Sequence, residues 1–279
     1  MSASTRKLFT GLIDDAAVFP PGNAPLDVAI DRHLAHRASP VSDIIGPLLV
    51  PVAAASDLLT LLDGRDSEHP LGVGLIARPG TSHASLVDAL ALLTDDARVD
   101  VAGIELGWSP DWTRLPLPAD VPVAVEVPRG EDHDTALDDL AARFADGRDV
   151  IAKFRTGATP TWHWPDEAEL ANFIAAATER GVPFKLTGGL HHAVRADHPD
   201  SQHGLLNVLV AAQAGSTGST PEHLAQVLEV RDPQALTALI TGWDESAVDQ
   251  TRRRFTSYGC CEVTDPLTDL ADLGLLTLE

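Results

Sequence analysis

Short apolar runs alternate with amphipathic stretches along the whole chain, and the alternation fixes the order of elements before any single residue is weighed. Apolar, strand-like runs cover residues 8–13, 44–50, 71–77, 99–106, 121–127, 150–156, 183–187 and 256–263. Several stop at turn-forming residues: Asp14 and Asp15 after the first, Pro51 after the second, Arg78 and Pro79 after the third, Pro128 after the fifth. Between them, helical periodicity covers 26–38, 55–62, 83–93, 135–145 and 166–180. The third of these carries apolar residues at 86, 87, 90 and 93. The last is closed by Gly181, at a position where a left-handed residue ends a helix. Residues 108–118 hold two Trp and three Pro and predict a loop.

Four further helices are predicted over 205–213, 221–230, 233–240 and 246–255, and a short last one over 266–273. Eight strands, each with a helix or helical region behind it, predict a single (β/α)8 TIM barrel spanning the chain. The long stretch 190–254 is a helical insertion between strands seven and eight. The alternative, an open doubly wound sheet, needs a Gly-rich dinucleotide fingerprint opening a helix, and the chain has none. No dinucleotide cofactor is therefore implied.

Composition narrows the function classes. A formal net charge of −21 argues against a nucleic-acid partner and against an anionic membrane surface. No apolar run is long enough to span a bilayer, and residues 1–15 lack the layout of a signal peptide. The only cysteines, Cys260 and Cys261, are neighbours and rarely bridge each other, so no disulfide framework is expected. These features predict a soluble cytoplasmic protein, and the Arg252-Arg253-Arg254 run reads as a solvated face or a subunit contact in a homo-oligomer.

Candidate chemistry gathers at the strand ends, where barrels of this kind carry their reactive groups. Asp14 ends strand one and Arg78 strand three. Glu105 and Glu126 lie near the ends of strands four and five. Lys153 and Arg155 lie two apart on strand six, hence on one face. Lys185 lies in strand seven, followed by the Gly188-Gly189 turn, His191, His192 and Arg195. Only three of the twenty basic residues are lysines. Lys153 and Lys185 each sit four residues before a glycine, within apolar runs where an unpaired ion is costly to bury. A lysine amine, unlike a guanidinium, can lose its proton and attack a carbonyl. Two ammonium groups converging in a water-poor cup are expected to depress each other's basicity.

Lys153-Phe154-Arg155-Thr156-Gly157 resembles the strand-six segment of deoxyribose-phosphate aldolases, and Lys185-Leu186-Thr187-Gly188-Gly189 resembles their strand-seven segment. The resemblance covers residues 149–189. It implies that Lys153 forms a Schiff base with a substrate carbonyl and that Lys185 lowers its pKa. The chain departs from that pattern in Arg155, in a glutamate (Glu105) where strand four of that family carries an aspartate, and in the insertion.

The residues themselves predict a lysine-dependent aldolase or lyase acting on a small phosphorylated or carboxylated carbonyl compound. Lys153 is the nucleophile, Lys185 its electrostatic partner, and Glu105 or Glu126 the acid/base group. Asp14, Arg78, Arg155, Gly188, Gly189, His191, His192 and Arg195 are substrate-binding candidates. One alternative is a metal-dependent lyase, isomerase or hydrolase with Glu and His ligands; His198 and His203 share the loop that would supply them. Another is a non-catalytic binder of an anionic metabolite. No base is evident beside the two cysteines, so they read as small core residues. The 162–165 stretch, Trp-His-Trp-Pro, is placed to cover the site or to pack beneath the insertion.

Overall fold

The computed structural model describes residues 3–65, 69–159, 162–196 and 203–278. Eight parallel strands close into a barrel in sequence order: β1 (Ile13–Asp15), β2 (Ile45–Pro51), β3 (Leu71–Ile76), β4 (Val99–Gly107), β5 (Val123–Glu126), β6 (Val150–Arg155), β7 (Phe184–Thr187) and β8 (Phe255–Cys260). The predicted fold class is thus observed. Around the barrel run α1 (Ala3–Phe9), α2 (Leu26–Arg37), α3 (Ala55–Leu62), α4 (His83–Thr94), α5 (His133–Ala145) and α6 (Glu167–Glu179). After β7 come α7 (Leu205–Ser216), α8 (Pro221–Glu229), α9 (Pro233–Thr241) and α10 (Glu245–Arg254), and α11 (Thr264–Asp272) follows β8. The β4–β5 connection holds only a single 3₁₀ turn at Trp112–Arg114, as its prolines predict. No helix among the described residues is long and apolar enough to cross a membrane.

One element differs in kind from its sequence reading. Residues 8–13 form the end of a helix and the start of a strand, not one strand. Leu8 and Phe9 are the buried face of α1, Gly11 reverses the chain at φ +58°, and β1 begins at Ile13. A short apolar run has the same composition whether it is one buried helix face or one buried strand, so periodicity cannot separate them. The insertion is also more integral than its position suggests. Its helix α7 is buried along almost its whole length, wrapped by α6, α8, α9 and α10, while α10 packs against α1. Arg252, read from sequence as part of a solvated face or a subunit contact, donates to the carbonyls of Thr10, Phe255 and Thr256, tying α10 to β8 and to the turn after α1.

Strand alternation decides which side chains enter the barrel. On β6 and β7, Phe154 and Phe184 point out to the helices. Phe154 stacks on Phe173 of α6 with ring centroids 4.5 Å apart, Phe173 meets Phe184 edge-on at 5.7 Å, and Phe184 stacks on Phe255 of β8 at 5.3 Å. This outer aromatic row pins three strands to one helix. It also forces their intervening residues, Lys153, Lys185 and Thr187, inward.

The loops after β6 and β7 touch through glycine. A Cβ placed on Gly157 would lie 2.5 Å from the Gly188 carbonyl oxygen, a contact no side chain can make. We predict that Gly157→Ala destabilises the protein by about 1–3 kcal/mol through overpacking of backbone on backbone. Gly107→Ala, where a Cβ meets nothing within 4 Å, should stay within about 0.5 kcal/mol of the parent. Denaturant midpoints of the two variants at constant m-value measure the difference.

Candidate active site

The register that closes the barrel brings charge to charge. Lys153 is the direct cross-strand neighbour of both Glu126 on β5 and Lys185 on β7. Two ammonium groups at adjacent inward positions repel unless an anion lies between them, and Glu105 of β4 supplies it. Its Oε2 is 2.7 Å from Lys153 Nζ and its Oε1 is 2.5 Å from Lys185 Nζ. The chain of pairs continues at both ends. Lys185 Nζ donates to Asp14 Oδ2 at 2.7 Å, and Ser257 Oγ donates to the same oxygen at 2.8 Å. Lys153 Nζ lies 3.1 Å from Glu126 Oε2, and Arg155 holds Glu126 from the other side through Nε at 3.1 Å. Three carboxylates and three cations thus alternate in sign from Asp14 through Lys185, Glu105, Lys153 and Glu126 to Arg155.

Four members, Asp14, Glu105, Lys153 and Lys185, are buried. Their proton affinities follow from this alternation. Burial works to raise Glu105, but the pull of Lys153 and Lys185 overcomes it and holds the carboxyl at about 2. Burial works to lower Lys185, but Asp14 and Glu105 overcome it and push the ammonium above its ordinary 10.5. Asp14 goes the other way from Glu105: burial dominates, only one lysine answers it, and its pKa is raised. Glu126 is lowered, its partial burial outweighed by Lys153 and Arg155. The expected mutual depression of two lysines is therefore corrected for Lys185. The ammoniums do converge, but an interposed carboxylate turns repulsion into bridging.

A cavity of about 810 Å3 opens above this network at the C-terminal ends of the strands. Lys153, Glu105, Glu126 and Arg155 line it; Lys185 and Asp14 lie behind and do not. Arg78 and Gly188 also line it, Arg78 from an exposed position at the rim. The opposite wall is apolar. Ala16, Leu49 and Ile76, with Phe19 against them, form a small hydrophobic cluster separate from the main core. Trp162 borders the cavity too, with Arg129 between its ring (5.7 Å) and that of Phe154 (5.1 Å), while Pro165 accepts from His203 of the insertion, so each of the two readings of the 162–165 stretch holds for part of it.

Several candidates lie elsewhere. Arg195 pairs with Glu167 of α6. His192 Nδ1 lies 3.2 Å from Asp269 of α11. Gly189 packs on Trp164 and Thr156 rather than facing a ligand. His191 sits against Cys261 and Asp265, away from the lysines. These four were placed by sequence proximity to β7, but the chain after Gly188 turns outward to reach the insertion. Asp15 faces outward and meets His33 of α2 at 3.1 Å. His203 is buried with Nε2 3.0 Å from the Pro165 carbonyl, and His198 lies outside the described residues. Among the described residues, no three His, Cys, Asp or Glu side chains are grouped to hold a metal ion. Sequence reasoning missed Ser257 and Arg129 as site residues, because only the closed barrel brings them to Asp14 and to the Arg155 backbone.

The chain matches no family model and no curated protein. Closed parallel barrels of eight strands commonly carry enzyme active sites at this face.

Glu105→Gln should uncouple both lysines. Breaking a buried pair by removing one partner costs about 3–5 kcal/mol, and that loss is expected at pH 7. The pH dependence has a defined sign. Glu105 titrates near 4.5 when unfolded and near 2 when folded, so its stabilisation is complete above 4.5 and is lost as pH falls toward 2. The raised Asp14 contributes with opposite sign, favouring the fold below its unfolded value. Guanidinium unfolding at a series of pH values should therefore show a shallower decline between pH 4.5 and 2 in Glu105→Gln than in the parent.

Proposed function

We propose that this barrel is a lysine-dependent aldolase or lyase that forms a Schiff base between Lys153 and the carbonyl of a small anionic metabolite. One observation carries the reading: of the two neighbouring lysines, only Lys153 reaches the cavity, and carboxylates flank its amine on both sides. Lys185, fixed as a cation behind it, holds Glu105 in place and opposes protonation of that carboxylate. The resemblance of both strand segments to deoxyribose-phosphate aldolases supports the same assignment.

In the resting state Lys153 is ion-paired, so attack requires that its proton leave. Glu126 is the acceptor best placed to take it. Its carboxylate is kept weakly basic by Lys153 and Arg155 together. A substrate carboxylate or phosphate that binds Arg155 draws the guanidinium away, and Glu126 gains basicity. The proton then moves from Lys153 Nζ to Glu126, the neutral amine adds to the carbonyl carbon, and the carbonyl oxygen leaves as water on return of protons. The protonated imine accepts the electron pair when the bond between its α and β carbons breaks, Glu126 takes the proton of the departing β-hydroxyl, and the enamine left on Lys153 is protonated at its α carbon and hydrolysed by water to free the amine. The apolar wall of Ala16, Leu49 and Ile76 fits a substrate with a hydrocarbon portion opposite its charged end.

The same ring of charge would serve a non-catalytic anion binder, in which Lys153 remains an ammonium throughout. Reduction with borohydride separates the two. Incubation with a panel of small keto acids and phosphorylated aldehydes, then borohydride, should add mass to the peptide containing Lys153. Lys153→Arg should abolish this label and turnover together, and Arg155→Ala should raise KM because the anion loses its anchor. Ligand-dependent thermal stabilisation without label or product across the panel would favour the binder.

A further inference from the structure

The end of β8 and the loop after β7 meet outside the lysine network, and their contact has the form of a second nucleophilic centre. Cys261 Sγ lies 3.3 Å from His191 Nε2. The other ring nitrogen, Nδ1, lies 3.1 Å from Asp265 Oδ2 on α11. Thiol, imidazole and carboxylate thus stand in line on three separate segments. This is the arrangement in which a base activates a nucleophile while a third group fixes the base. We infer that Cys261, His191 and Asp265 form a thiol nucleophile with its base and orienting carboxylate, able to accept an acyl group from an activated ester or thioester.

Cys261 is the nucleophile rather than Cys260. Cys260 is buried and donates to the Glu262 carbonyl at 3.2 Å, and its sulfur is 3.9 Å from the imidazole. Cys261 is partly exposed. Its position is held from the β1 side, where a Cβ on Gly22 would come within 3.1 Å of Cys261 Cβ. His191 is aimed by unusual backbone: Leu190 just before it is buried and left-handed at φ +60°, a conformation that side chains with a Cβ rarely adopt. The titratable groups against the imidazole are Cys260 and Asp265, with Asp269 beyond them on α11 against His192. Hydrogen bonds to Cys260 and Cys261 raise the proton affinity of His191.

The reaction balances on these groups. The thiol proton passes to His191 Nε2, Cys261 Sγ bonds to the acyl carbon, and the ester oxygen leaves as its alcoholate or phenolate. Water then releases the acid and restores the thiol. None of this involves Lys153.

The test uses p-nitrophenyl acetate with the reduced full-length chain. Expected is a burst of nitrophenolate stoichiometric with protein and an acetyl group on Cys261, retained in Cys260→Ala and absent in Cys261→Ser. His191→Asn should slow the burst by about 100-fold at pH 7. Asp265→Asn, which alters an exposed carboxylate, should slow it less while leaving thermal unfolding unchanged. Alkylation by iodoacetamide gives a readout that a purely structural role would not move. At pH 7 the parent should react faster than His191→Asn, because only the parent has a base in contact with the Cys261 sulfur. Acetylation of a lysine or of Cys260 in place of Cys261, or equal rates in the parent and in both His191→Asn and Asp265→Asn, would overturn the inference.

Discussion

A carboxylate cut off from water must find cations or give up its charge, and in this barrel Glu105 finds two. That one bridge makes the interior possible. Without it, the β6–β7 register would set Lys153 against Lys185 in a space too dry to screen them. With it, each lysine has an anion on both sides, and the row of charges ends on Ser257 at one extreme and on the half-exposed Arg155 at the other. Replacing such a row by hydrocarbon would be neutral or stabilising in most proteins, so the charges are not explained by stability. They are explained if the row delivers a reactive group to the cavity, and Lys153 is the member delivered.

The two ends of the row differ in a way that matters for chemistry. At the Asp14 end everything is buried, and the cation there is held charged. At the Arg155 end the pairs border the cavity, where an incoming anion can compete for the guanidinium. A buried end, in which Lys185 is held charged, thus backs an end that an incoming anion can reach. The apolar patch of Ala16, Leu49 and Ile76 lies across the cavity from these charges.

Much of this was legible in the sequence. The barrel followed from eight apolar runs and their spacing, and the two lysines singled out on strands six and seven are direct neighbours in its register. The sign of the lysine interaction was not legible. It depends on where Glu105 points, eighty residues from Lys185, and only closure of the sheet brings the two together. The same is true of Cys261, which is 70 residues from His191. Read locally, the cysteines have no base; the helical insertion returns the chain so that one is provided. The histidines and Arg195 were misplaced for a related reason. Sequence proximity to a strand end predicts the mouth only while the chain stays there, and after Gly188 it leaves. Residues 8–13 were divided differently because a buried helix edge and a buried strand share one composition.

The central claim, that a buried carboxylate clamps two lysines and keeps Lys185 charged, can be read directly because the chain has only three lysines, the third being the exposed Lys7. Selective 15N labelling of lysine side chains gives one signal for each. Two Nζ resonances with slow proton exchange and hydrogen-bonded shifts are expected, and Lys185 should remain an ammonium beyond pH 10.5. A Lys185 signal that exchanges freely, or that loses its proton below that value, would contradict it.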